Sequence, residues 1–175
     1  MSEGPNGYRD SRPGGEGPDA AGPEGDPHAW YQRGLELLSR GSPAAAAQIL
    51  ERAATVEPSS RSVREALARA QFDARRYTEA ADNFRLIVEA SPSDDYANFG
   101  LGLSLARTGN PAAAAEYLAL AAAMRPDDAH YTEALRSVRA TLRARQDARR
   151  AGGGPADHTE TGPDGEPGAD GGDRA

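Results

Sequence analysis

The side chains that most often perform catalysis or bind metals are few in this 175-residue sequence. It contains no cysteine, and its three histidines are His28, His130 and His158. His28 and His130 are predicted to begin helices at opposite ends of the folded region, too far apart to share a metal ion, and His158 lies in a glycine-rich tail. There is no glycine-rich phosphate loop, nucleophile elbow or paired acidic motif. We therefore expect no metal, no cofactor and no enzymatic activity.

Arginine is concentrated near the end of the folded region. Five arginines are predicted on the outer face of a helix between residues 136 and 150: Arg136, Arg139, Arg143, Arg149 and Arg150. Guanidinium groups at this density could contact nucleic-acid phosphates or a membrane surface. No lysine or aromatic residue accompanies them, and an acidic segment follows directly. We favour a solvated face of a terminal helix; a contact with the acidic tail and binding of an anionic polymer stay open as alternatives.

A period of 34 residues runs through the middle of the chain. Four sets of equivalent positions recur at this interval: Pro58, Pro92 and Pro126; Ala46, Ala80 and Ala114; Gly34, Ala68 and Gly102; Leu50, Phe84 and Leu118. Three units, 27–60, 61–94 and 95–128, align without insertion or deletion. Such a period is typical of repeat architectures built from one supersecondary unit.

Each unit is predicted to form two helices. Asp26 can cap the first helix, and the fixed φ of Pro27 suits its first turn. Ser42-Pro43 and Asn110-Pro111 repeat this signal at two second helices, and the proline near the end of each unit stops its second helix. Small residues such as Gly34 are predicted where the paired helices cross, and Phe84 is predicted to fill the seam between units.

Small, large and proline positions at this spacing resemble those of the tetratricopeptide repeat family over residues 27–128. The resemblance implies an all-α, right-handed superhelical solenoid of three helix-turn-helix repeats. Residues 129–150 are predicted to form a seventh helix, in which Leu135, Val138 and Leu142 make an apolar stripe that covers the last repeat. Terminal repeats need such a capping element with a polar outer face.

The resemblance also implies that the first helices line the inner surface of a curved array. Helical spacing away from the packed seam places these residues on that surface: His28, Tyr31, Leu35 and Ser39; Ser62, Glu65, Arg69, Phe72 and Asp73; Tyr96, Phe99, Leu103 and Arg107; and Tyr131 and Glu133 of the cap. The candidate partner-binding set is Tyr31, Leu35, Arg69, Phe72, Asp73, Tyr96, Phe99, Leu103, Arg107 and Tyr131. Aromatic and arginine side chains dominate binding hot spots. Phe72 and Phe99 have a second interpretation, as partly buried core residues.

The resemblance implies protein binding, with a difference in ligand. Some members of the family hold a C-terminal carboxylate with lysine and asparagine on their first helices. This sequence has no lysine, and the corresponding places hold Tyr31, Leu35, Ala66 and Gly100. We therefore expect an adaptor that binds a peptide or helical segment of another protein through apolar anchors, with an acidic residue opposite Arg69 or Arg107. Self-association into an oligomeric scaffold is the alternative, and nucleic acid is not an expected partner.

Two acidic, glycine-rich tails flank the repeats. Residues 1–26 have six acids and two arginines, and residues 151–175 have six acids and one arginine. Because they hold almost no apolar side chains, both are predicted to be disordered. The N-terminus lacks the apolar core of a signal peptide, and the longest apolar run, Leu118–Met124, is far shorter than the roughly 20 residues that cross a bilayer. We expect a cytoplasmic protein without a membrane partner, and its all-arginine basic set favours a high-GC bacterial source.

Overall fold

The computed structural model describes residues 26–152, which form seven α-helices and no strand. The helices are α1 Pro27–Ser39, α2 Pro43–Val56, α3 Arg61–Asp73, α4 Tyr77–Ala90, α5 Asp95–Arg107, α6 Pro111–Met124 and α7 Ala129–Gly152. Consecutive helices pack against each other, and the odd-numbered helices also contact one another along one side. The result is the predicted all-α solenoid, with three helix pairs followed by a terminal helix.

The two tail predictions fall almost entirely outside this range. Of residues 1–26 only Asp26 is described, and of residues 151–175 only Ala151 and Gly152. Those last two residues belong to α7, so the helix continues two residues beyond its predicted end at position 150.

Local hydrogen bonds explain where the helices begin. The carboxylate of Asp26 accepts a bond of 2.9 Å from the backbone N–H of His28, and Asp94 accepts one of 3.0 Å from Ala97. Ser60 precedes α3, but its hydroxyl makes no capping bond. Capping side chains satisfy backbone N–H groups that have no partner inside the helix.

The turn inside each repeat needs a left-handed residue. Gly41 and Gly109 have φ values of 71° and 87°, and the equivalent residue of the second repeat, Arg75, has a φ of 63°. Glycine adopts this conformation without strain, whereas a residue with a Cβ pays roughly 1–2 kcal/mol. The four sets of equivalent positions predicted from the sequence do not include this one.

Glycines set the distance between helices, as predicted for Gly34. A Cβ at Gly34 would overlap the side chain of Leu50, and one at Gly102 would lie 2.7 Å from Leu118 Cγ. Phe84 is buried together with Ala97 and Leu101 of the next repeat, so it does fill the seam between units. Such side chains form a continuous core that exists only when repeats stack, because a single repeat could not bury them.

The terminal helix covers the last repeat with its first half. Val138 is buried with Ala114 and Leu118 of α6, and Leu135 packs against the same cluster. Further along, Arg145 donates a hydrogen bond of 3.2 Å from Nη1 to the carbonyl oxygen of Gly109, in the turn between α5 and α6. The predicted capping role of this helix is therefore visible in its contacts.

Candidate partner-binding groove

Two adjoining depressions run across the first helices of the three repeats. One, of about 310 Å³, is lined by Tyr31, Leu35, Leu38, Ser62, Glu65, Ala66, Arg69 and Tyr96. The other, of about 210 Å³, is lined by Arg69, Phe72, Asp73, Phe84, Tyr96, Phe99, Gly100 and Leu103. Because Arg69 and Tyr96 border both, the two depressions form one continuous surface from α1 to α5, which we call the groove.

Eight of the ten predicted site residues line the groove. They are Tyr31, Leu35, Arg69, Phe72, Asp73, Tyr96, Phe99 and Leu103. Helical spacing within α1, α3 and α5 was enough to place them, because side chains three or four residues apart share one face of a helix.

The floor of the groove contains two residues outside the predicted candidate set, Phe84 and Gly100. Gly100 has no side chain to cover the ring of Phe84, with which a Cβ at this position would overlap. As a result Phe84, on the second helix of its repeat, borders the groove beneath α5, although it is only 2% exposed. No spacing rule within one helix predicts this, since it depends on how close α4 and α5 approach.

Arg69 lies at the junction of the two depressions and is loosely held. Its side chain is 60% exposed, and its Nε lies 3.9 Å from Asp73 Oδ2, at the long end of the range for an ion pair. Among the described residues it makes no hydrogen bond that would fix the guanidinium. An exposed pair of this length contributes little, so the planar donor group of Arg69 is available to a ligand carboxylate.

Tyr96 and Glu65 are half-buried polar groups beside Arg69. Burial raises the pKa of the Tyr96 phenol, and the positive charge of Arg69 opposes that shift. Burial also raises the pKa of the Glu65 carboxyl, with a further contribution from the negative charge of Asp94, while Arg61 acts in the opposite direction. The groove thus presents one cation between acidic neighbours.

Phe72 and Phe99 are partly buried, as one of their two sequence interpretations expects, and both border the groove. The Phe72 ring meets Tyr77 edge-on at 5.2 Å between centroids, and the Phe99 ring stacks on Tyr131 at 4.4 Å. Each ring packs on one side and borders the groove on the other. Their aromatic contacts hold them in place and so reduce the conformational entropy that a ligand would have to remove.

Two predicted site residues lie elsewhere. Tyr131 is only 6% exposed, and its hydroxyl donates a hydrogen bond of 3.0 Å to Asp95 Oδ2, so it joins α7 to α5 and does not extend the groove wall. The Arg107 guanidinium carbon lies 5.9 Å from the centroid of the Tyr77 ring, outside both depressions. Of the two arginines expected to face an acidic ligand residue, Arg69 alone lines the groove.

Other parts of the described surface lack the combination of aromatic rings and a cation that lines the groove. A larger depression of about 550 Å³ surrounds the turn between α6 and α7, at residues 124–130, and has no aromatic lining. His28 and His130 are both exposed, and within residues 26–152 no group of three histidine or acidic side chains could hold a metal ion. None of the seven described helices has the length and apolar character to cross a bilayer.

Comparison with known proteins identifies the repeat. The tetratricopeptide repeat family matches residues 31–95 and 90–129. A solved structure of a MamA RS-1 ArsTM double mutant is 20% identical, with a TM-score of 0.66 over 73% of this chain and 72% of that one. The first TPR of Spaghetti (RPAP3), bound to the HSP90 peptide SRMEEVD, is 16% identical, with a TM-score of 0.62 over 66% of this chain and 92% of that one. MamA 41-end from Desulfovibrio magneticus RS-1 is 18% identical, with a TM-score of 0.59 over 72% and 77% of the two chains.

At these identities the solved structures establish similarity of fold and nothing finer. No curated protein matches the chain. The family match itself spans residues 31–129, more than half of the sequence, and it coincides with the three helix pairs and their 34-residue period. On these grounds the chain belongs to the tetratricopeptide repeat family.

Proposed function

We propose that this chain is a non-catalytic adaptor module whose groove binds an extended or helical segment of another protein. The observation that carries the proposal is the continuity of the groove from α1 to α5 through the shared residues Arg69 and Tyr96. The RPAP3 structure of similar fold has a peptide bound, which supports this use of the architecture.

The lining of the groove indicates what such a segment should contain. Phe72, Phe84 and Phe99 surround the smaller depression, so an apolar side chain would lose water most favourably there. A carboxylate next to that side chain would meet Arg69, whose planar fork suits a bidentate contact. Glu65 and Asp73 flank Arg69, so a run of several acids would be repelled. The preferred ligand is an apolar residue close to a single acid.

A charge reversal at Arg69 tests the groove with little risk to the fold. We would select peptides that bind the full chain from a random displayed library and measure their affinity by fluorescence anisotropy. The peptides selected on wild type should pair an apolar residue with an acid. Arg69→Glu should lower the affinity of these peptides about tenfold or more, because a hydrogen bond to a charged group contributes roughly 1.5–3 kcal/mol. Selection on Arg69→Glu should instead enrich a basic residue at the acid's position.

Arg52→Glu is the matched control for that experiment. Arg52 is exposed on α2, lies outside the groove and forms no ion pair among the described residues, so the variant changes net charge equally. Circular dichroism should show the same helicity in both variants. If the selected peptides bind the Arg69 and Arg52 variants with equal affinity, the groove is not their site.

Substituting an acid for an aromatic residue of the groove, as in Tyr96→Asp or Phe99→Asp, is a less suitable test of binding. The Phe99 ring stacks on Tyr131 of the terminal helix, and the Tyr96 ring meets Phe84 edge-on at 6.0 Å. A carboxylate at either position would disturb packing between helices together with any ligand contact. A loss of binding in these variants would therefore have two explanations.

Self-association is a second candidate, and one observation favours it. Leu86 and Leu120 occupy equivalent positions on the second helices of neighbouring repeats and remain 47% and 48% exposed. Large exposed apolar side chains at repeat spacing are suited to a second copy of the array. Sedimentation equilibrium should then show a dimer that Leu86→Glu/Leu120→Glu disrupts, and a wild-type monomer at tens of micromolar would remove this candidate.

A further inference from the structure

The terminal helix extends well beyond the array that it covers. α7 has 24 residues, whereas α6, on which it packs, has 14. At 1.5 Å per residue these lengths are about 36 and 21 Å. The packed residues Ala134, Leu135 and Val138 all lie in the first half of α7, and residues 143–151 are exposed. Apart from the hydrogen bond of Arg145 to Gly109, the second half of the helix therefore lies outside the packed cluster.

α7 has more arginines than acidic residues to pair with them. α7 contains six arginines and only two acidic residues, Glu133 and Asp147. Glu133 pairs with Arg136, whereas Arg139, Arg143, Arg149 and Arg150 form no ion pair within residues 26–152, even though Asp147 lies one helical turn from Arg143. Earlier helices differ: Arg33 and Arg85, for example, each pair with an acid three residues away. We call Arg139, Arg143 and Arg150, which share one side of the helix by their spacing, the arginine face; Arg149 lies in line with the apolar stripe.

The sequence that follows has the complementary charge. Residues 153–175 contain six acids and one arginine, and the acids are Asp157, Glu160, Asp164, Glu166, Asp170 and Asp173. The last residue of the helix, Gly152, is followed by two further glycines, Gly153 and Gly154. Glycine permits the backbone conformations that a reversal of the chain requires.

We propose that this acidic segment docks back onto the arginine face of its own chain, with Asp157 and Glu160 opposite Arg143 and Arg139. Docking would occupy the cations of α7 and so prevent the array from binding other polyanions such as nucleic acid. This inference concerns α7 and is independent of the function proposed for the groove.

The distances permit this arrangement. Arg143 is nine residues before Gly152 and Arg139 is thirteen, which corresponds to about 14 and 20 Å along the helix. Asp157 is five residues beyond Gly152 and Glu160 is eight, so an extended chain reaches about 17 and 27 Å. Each acid can therefore reach its arginine after a reversal at the glycines.

Because the acidic segment is tethered to α7, weak contacts are sufficient for it to dock. A single exposed ion pair contributes little, but a short covalent tether gives the segment an effective concentration on the order of millimolar. Several weak pairs are then populated together without high intrinsic affinity. Because all of them are exposed, salt should release the segment, as the Debye length falls from about 10 Å at 0.1 M to about 3 Å at 1 M.

Paramagnetic NMR on the full chain tests the proposal directly. The chain has no cysteine, so Ala169→Cys creates a unique site for a spin label. At low salt the label should broaden the amide signals of residues 136–143, and 1 M NaCl should abolish the effect. Arg139→Glu/Arg143→Glu should abolish it at low salt too, whereas Arg33→Glu/Arg52→Glu, with the same change of net charge far from α7, should not. Adding Asp157→Arg/Glu160→Arg to the α7 variant should restore the broadening.

Two outcomes would overturn docking in its own chain. Broadening that is equal in all variants and independent of salt would mean that the tether alone keeps the label near a solvated helix. Broadening that appears between labelled and isotope-enriched copies in a mixture, and grows with concentration, would assign the arginine face to a second copy.

Polyanion binding provides a second readout. In the full chain, Asp157→Asn/Glu160→Gln/Asp164→Asn should bind a labelled single-stranded DNA about tenfold more tightly than wild type at low salt, because the arginines are no longer occupied. Equal affinity of the two proteins would contradict the proposal, since it would show that the acidic segment does not occupy the arginine face in wild type.

Discussion

Tyr131 links the terminal helix to the last repeat through two contacts. Its ring stacks on Phe99 and its hydroxyl donates to Asp95, whose carboxylate also lies 3.5 Å from Arg125 Nη1. The Tyr131 residue is almost fully buried, whereas its hydrogen bond to Asp95 is partly buried. Helical spacing predicts Tyr131 on the groove wall, but the residue lies in the packing interface between α5 and α7.

Tyr131→Phe should destabilise the fold in a pH-dependent way. Burial raises the pKa of Tyr131 above its usual value of 10, and the hydrogen bond and charge of Asp95 raise it further. The folded protein therefore keeps the phenol proton at a pH where the unfolded chain releases it, so this stabilisation is complete below pH 10 and is lost as the pH rises. Urea unfolding should show wild type about 1 kcal/mol more stable than Tyr131→Phe at pH 7, from one lost hydrogen bond.

That difference should shrink between pH 9.5 and 11. Above pH 10 ionisation of Tyr131 in the unfolded chain favours unfolding of wild type only, since the phenylalanine variant has no group to ionise there. A difference in unfolding free energy that stays constant across this range would contradict the assignment of the hydrogen bond.

The helices of this array differ in how many neighbouring helices they pack against. α3 and α5 pack against helices on both sides, whereas α1 packs only on α2 and α3, and the second half of α7 lies beyond the packed cluster. In a linear stack, stability is the sum of the repeats and their nearest-neighbour interfaces, so the ends have fewer interfaces than the middle.

Hydrogen exchange should follow this gradient. We expect the amides of α3, α4 and α5 to exchange most slowly, and those of α1 and of residues 143–150 to exchange at least about tenfold faster, because local opening there breaks fewer interfaces. Exchange measured helix by helix under native conditions checks this. Equal protection in all seven described helices would mean that the array opens only as one cooperative unit.

At the scale of the whole molecule, the described residues place two kinds of binding chemistry on different elements. The groove belongs to α1, α3 and α5 and combines aromatic rings with one loosely held arginine. The arginine face belongs to α7 and combines several cations with no acidic partner among residues 26–152. A partner segment in the groove and an acidic segment on α7 would therefore not compete for the same side chains.

The sequence by itself determined the repeat, the helix pairs and most of the groove. Prolines and small residues at intervals of 34 act locally on backbone geometry and helix approach, and spacing within one helix decides which side chains share a face. Eight of the ten candidate site residues follow from these local rules. The left-handed turn at Arg75 was not identified because only its equivalents, Gly41 and Gly109, are the residue type that such a turn normally needs.

Tertiary structure alone decided which of these side chains remain accessible. Tyr131 is buried against Asp95 and Phe99, Arg107 lies over Tyr77, and the absence of a side chain at Gly100 lets the buried Phe84 ring border the groove. Each result depends on the distance between helices that are far apart in sequence. That distance is set by the summed packing of both surfaces, which the period of a single helix does not encode.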